Sequence, residues 1–225
     1  EAFYACSSLT EISLGENVSM IEPDAFEGCV SLVNITVNTT NLNFLGIEGV
    51  LFNKSQTTLF HYPNGKTQSS YVIPDGVTAI GSYAFRHCNN LTSIIYPDTL
   101  TSIGNNAFGS CKNLSSLSLG NNLTSIGDSS FFGCSSLTSI SLGNSSVSIG
   151  NNAFSDCTSL SNIVGPENVT LIGSRAFKGC TNLNSVSLGN MVTAIGSAAF
   201  FGCTSLTDFS LGDSPAIIGA SAFGD

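Results

Sequence analysis

Apolar residues return at fixed positions of a 23-residue cycle along most of the chain. One unit reads C-x-x-L-x-x-I-x-L-G-N-x-[LV]-x-x-I-G-x-x-A-F-x-G, as in Cys134, Leu137, Ile140, Leu142, Gly143, Asn144, Ile149, Gly150, Ala153 and Phe154 ahead of Cys157. Leu91, Leu114, Leu137, Leu160, Leu183 and Leu206 form one column. Ile94, Leu117, Ile140, Ile163, Val186 and Phe209 form a second, and Ile80, Ile103, Ile126, Ile149, Ile172, Ile195 and Ile218 a third. Leu137 to Leu142 alternates at its end, the period of a strand with one buried face, so Ile140 and Leu142 point inward and Ser139 and Ser141 outward. Gly143-Asn144 ends that strand with residues that tolerate positive φ. A short extended piece follows around Ser148-Ile149-Gly150, and Asn152-Ala153-Phe154-Ser155 reads as one helical or 3₁₀ turn.

Such units are too small to bury an apolar face alone and do so by stacking, which predicts a mainly β solenoid. Residues 1–225 read as one repeat domain. Ala2-Phe3 and Ala222-Phe223 stand at the same phase of the cycle, so the expectation is a fragment of a longer array. Stacking turns each column into a ladder, with Phe85, Phe108, Phe131, Phe154, Phe177 and Phe200 as its spine beside Cys88, Cys111, Cys134, Cys157, Cys180 and Cys203. The even cysteine count invites a disulfide reading. The shared register favours buried free thiols behaving as small hydrophobes, with one or more bridges as the alternative.

The run I-G-x-x-A-F-x-x-C-x-x-L-x-x-I-x-L resembles the BspA-like leucine-rich repeat family, the 23-residue class described from spirochaete surface proteins. The resemblance implies a non-enzymatic protein-binding module of a cell-surface or secreted protein, associated with adhesion to host matrix proteins or other cells. Two departures from the family pattern stand out: no atypical cap is read at either end, and one stretch is irregular. Cys29 and Cys88 lie 59 residues apart, two repeats and 13 more, which places an insertion over residues 38–70. Within it Gly49-Val-Leu-Phe-Asn53 and Thr57-Thr-Leu-Phe-His-Tyr62 read as a β-hairpin, after which Tyr71-Val-Ile-Pro74 resumes the repeat.

Charge adds an exclusion. Only 9% of residues are charged and the net charge is −9 with six Lys and Arg, which argues against a nucleic-acid partner. No run approaches the roughly 18–20 apolar residues of a membrane span. The motifs of zinc, nucleotide and dinucleotide sites are absent, and neither His61 nor His87 stands in a recognisable triad, so no catalytic residue, metal or cofactor is expected. N-x-[ST] sequons at Asn17, Asn34, Asn38, Asn53, Asn90, Asn113, Asn122, Asn144 and Asn168 are mostly what the Asn, Ser and Thr content produces by chance.

Two places are candidates for binding a protein partner. One is the outward strand face, with Ser116, Ser118, Ser139, Ser141, Ser185 and Ser187, whose plain reading is a solvated surface. The other is the hairpin, where Phe52, Lys54, Phe60, His61, Tyr62 and Lys66 gather aromatic and basic residues; packing against the flank is the competing account. Alternatives to surface adhesion are an intracellular scaffold and, more remotely, glycan or ice binding through the serine face. The oligomeric state, the ligand and the source stay open.

Overall fold

The computed structural model of the chain describes residues 2–164, 166–213 and 216–224. They form a stack of similar turns, here called rungs, with parallel strands on two sides. On the face side, Ser116–Ser118, Ser139–Ser141 and Asn162–Val164 pair in parallel at a 23-residue offset, as do Glu11–Leu14 with Asn34–Val37, Ser70–Val72 with Ser93–Ile95, and Ser185–Ser187 with Asp208–Ser210. On the flank, the short pieces Thr58–His61, Ala79–Ile80, Ser102–Ile103, Ser125–Ile126, Val147–Ile149, Val169–Ile172, Ala194–Ile195 and Ile217–Ile218 join one ten-stranded sheet.

A third hydrogen-bonded edge closes each rung where a helical or 3₁₀ turn was expected. Ala84, Arg86 and Cys88 donate their N–H groups back three residues, a 3₁₀-type pattern, while Tyr83, Phe85 and His87 donate forward to Asn105, Ala107 and Gly109 of the next rung at 2.9, 2.7 and 2.9 Å. Left-handed residues make this alternation possible. Tyr83, Asn106, Ser129, Asn152, Arg175, Ala198 and Ser221 repeat one positive φ, and the residue before each ladder cysteine repeats another. The left-handed residue's own N–H donates to the next rung while the N–H after it turns back into its own rung, so the turn does not propagate as helix. The 3₁₀ helix among the described residues is Pro166–Asn168, outside this edge.

The columns pack as read. The rings of Phe85, Phe108, Phe131, Phe154, Phe177 and Phe200 are buried and lie 4.8–5.3 Å apart, within 13° of parallel. Glycine is required where rungs approach: a Cβ on Gly150 would sit 2.7 Å from Asp128 N and from the Gly127 carbonyl carbon.

The insertion is a three-stranded antiparallel meander, Phe44–Ile47, Val50–Asn53 and Thr58–His61. Its first strand was not read from the sequence. Glu48 and Gly49, at φ 50° and 80°, form the tight hairpin turn into the second strand. Thr58 and Leu59 then pair with Ala79 and Ile80, and Tyr62 stacks on Phe85 at 5.2 Å. The rung's phase therefore returns at Leu59 and Tyr62, ahead of Tyr71. Asn41 anchors the meander's start: wholly buried, it donates to Gly15 and Val18 carbonyls and accepts from Asn43 and Phe44 N–H.

The meander also divides the interior. Val50, Phe52, Leu59 and Tyr62 belong to the long core that runs to Ala222, whereas Phe44 and Leu51 belong to a smaller core with Leu14, Phe26, Leu32 and Ile35. Alternate residues of one strand, Leu51 and Phe52, serve opposite cores, as the pleat dictates.

Truncating a mid-array ring removes contacts on both sides. Phe131→Ala is expected to cost about 3–5 kcal/mol in urea denaturation. Hydrogen exchange should accelerate in the two adjoining rungs and fade with distance along the stack.

Candidate functional site

Most hydroxyl and amide columns are committed to holding the rungs together. Thr92, Ser115, Thr138 and Ser161 each donate to a carbonyl of the preceding rung at 3.0–3.2 Å. Thr101, Thr124 and Thr193 do the same on the flank. Asn105, Asp128 and Asn151 accept the N–H of Asp128, Asn151 and Ser174. These bonds replace ion pairs as the polar cement.

The face serines differ. Ser116, Ser118, Ser139, Ser141 and Ser187 make no side-chain hydrogen bond among the described residues, and Ser185 meets only Asn184 beside it. Their registers, Ser116 opposite Ser139 and Ser118 opposite Ser141, set hydroxyls one strand spacing apart, about 4.8 Å. The result is a grid of free donors and acceptors, exposed or half-buried.

The same face carries apolar positions that the sequence reading passed over. Val72 and Ile95 are exposed, in register and adjacent. In Ser93-Ile94-Ile95 either isoleucine fits a buried slot, so only the register of Ile94 with the core column marks Ile95 as outward. Beside Val72 a cleft of about 270 Å³ opens against the insertion, lined by Glu48, Val50, Lys66, Ser70, Tyr71 and Val72.

The hairpin candidates are placed otherwise. Phe52, Tyr62 and His61 are buried at 0, 2 and 5% exposure and cannot meet a partner directly; they are core, which was the competing account. Phe60 packs edge-on against Phe44. Lys54 and Lys66 are tied to the Thr39 and Glu48 carbonyls at 3.3 and 2.7 Å. Burial pushes the Tyr62 phenol up to about 12 and lifts Tyr71 as well.

The cysteines are all free. Their column has a role that periodicity did not disclose: each ladder thiol donates to the carbonyl of the aromatic residue 26 positions earlier, as Cys111 does to Phe85 at 3.0 Å, Cys134 to Phe108 at 3.2 Å and Cys88 to Tyr62 at 3.7 Å. Gly65 stands in this register at the insertion rung, where a Cβ would meet the Ser31 carbonyl carbon and oxygen at 2.6 Å, so a cysteine is excluded there. Burial pushes Cys111 and Cys157 up to about 12 and Cys203 to about 11. These are thiols held away from nucleophilic chemistry. No group of three or more His, Cys, Asp or Glu is arranged to hold a metal ion among the described residues, and no helix is long and apolar enough to cross a membrane.

Comparison with known proteins agrees with this geometry. A family model described as BspA type leucine-rich repeat region matches residues 1–71, 57–169 and 136–225. A crystal structure of a leucine-rich repeat protein from Eubacterium ventriosum is 28% identical, with a TM-score of 0.72 over 89% of this chain and 60% of that one. A leucine-rich cell-surface protein from Faecalibacterium prausnitzii is 30% identical, with a TM-score of 0.65 over 90% and 48%. One from Bacteroides ovatus is 28% identical, with a TM-score of 0.61 over 96% and 58%. The chain thus spans roughly half the length of the solved proteins it resembles. No curated protein matches.

Thiol accessibility checks the ladder. In the native protein one thiol per chain, Cys6, is expected to react with Ellman's reagent at pH 8, and the rest only after denaturation. Cys134→Ala, which orphans one carbonyl lone pair and leaves a small void, should cost about 1–3 kcal/mol.

Proposed function

The chain belongs to the BspA-type leucine-rich repeat family, and from that premise we propose that it is a non-enzymatic protein-binding module, carried on a cell surface or secreted, whose face strands contact another protein. The observation that carries this reading is the division of labour among hydroxyls. Columns that bind the preceding rung are spent, whereas the face serines keep their hydrogen-bonding capacity and share one face.

Contacts of this kind are individually weak, and affinity comes from their number and from an apolar centre that excludes water. Val72, Ile95 and the cleft beside Tyr71 supply such a centre at one end of the grid. The face carries few charges, so recognition works through shape and hydrogen bonding rather than electrostatic steering. A surface location is supported by the F. prausnitzii relative, which is described as a cell-surface protein.

Binding of the chain to a panel of immobilised extracellular-matrix proteins and to cultured cells tests this. Ser116→Arg with Ser139→Arg should weaken binding at least tenfold while leaving the melting temperature unchanged. Ser136→Arg with Thr158→Arg, on the turn edge, should leave it intact. Equal loss in both pairs, or binding to none of the panel, rejects the reading.

A further inference from the structure

The solenoid has one discontinuity in its aromatic spine. Phe26 does not stack on Tyr62, its counterpart one rung on; it meets His61 instead, with ring centroids 4.9 Å apart. His61 occupies the column filled by Ala84, Ala107, Ser130 and Ala153 in later rungs. It sits where the smaller core, ending at Phe26 and Leu32, gives way to the longer core that begins with Val50 and Tyr62.

This joint is poorly satisfied. His61 Nε2 and Asn64 Oδ1 are buried with no hydrogen-bond partner. Both line a cavity of about 10 Å³, room for about one water molecule. The charged and titratable groups on its walls are Glu27, paired with Arg86 across the joint, Tyr83, beneath the Arg86 guanidinium, and His87. A proton on His61 would therefore meet one carboxylate already engaged by an arginine.

We infer that this joint is an acid-sensitive hinge: protonation of His61 opens the contact between the Phe26 and Tyr62 rungs and lets the first two rungs part from the rungs that follow. Burial holds the neutral imidazole, with its pKa lowered to about 3 in the closed form. A solvated histidine titrates near 6.5. Above that value neither form binds the proton and closure is fully favoured. As pH falls from there toward 3 the open form gains the proton first, so closure weakens throughout that window.

The open population should rise roughly 25-fold between pH 7 and pH 5. Gly65 N–H, which bonds the Leu32 carbonyl across the joint at 2.7 Å, reports it directly. Its exchange protection factor, corrected for intrinsic rate, should fall by about that ratio, while that of Phe154 N–H stays constant. In His61→Gln and in His61→Ala the Gly65 dependence should vanish. Protection at Gly65 that does not change with pH overturns the inference. So does a dependence that survives in either variant, which would assign the titration to Glu27 or His87.

Discussion

A phenyl ring in this protein is buried only because another lies about 5 Å above it and a third as far below. That spacing is the strand spacing of the two sheets, so ring stacking and backbone pairing are satisfied by one translation. Every side chain is then obliged to tolerate its own kind one rung away. A column of like charges at about 5 Å would repel at every step, and the chain is 9% charged. Where carboxylates do enter a column they are interleaved with amides, as in Asp98, Asn121, Asn144, Glu167 and Asn190, or Asn105, Asp128 and Asn151. Serine, threonine and asparagine suit such ladders because each is both donor and acceptor.

The same translation made the fold legible. Once Ile140 and Leu142 are read as inward, every rung inherits the assignment, and the free state of the cysteines follows from their shared register. What stayed hidden does not repeat as residue type. Left-handed φ falls on Tyr83, Asn106, Arg175 and Ala198, four residues with no common preference for it, so the third hydrogen-bonded edge left no mark in the pattern. The thiol donation to a phenylalanine carbonyl is likewise a matter of geometry between rungs.

The insertion was half legible. Its second and third strands alternate and were read; Phe44-Leu45-Gly46-Ile47 carries a glycine and does not alternate. The insertion rung itself was masked because Tyr62 stands for phenylalanine and Gly65 for cysteine. Aromatic clustering around Phe52 and Tyr62 suggested a surface patch because a strand is read as having one wet side. Here the meander lies between two cores and has none over Leu51 and Phe52.

That irregular rung matters for the recognition proposed above. A grid that nearly repeats under a translation of about 4.8 Å gives a partner little reason to choose one rung over the next, since sliding exchanges serine contacts such as Ser116 and Ser118 for Ser139 and Ser141. Fixing the partner's position needs a feature that occurs once. Among the described residues the Val72–Ile95 pair and the cleft against Glu48 and Tyr71 occur once, and the cleft is walled on one side by the meander's Glu48 and Val50. In the proposed binding mode the uniform face supplies extent, and the break in the repeat supplies the address.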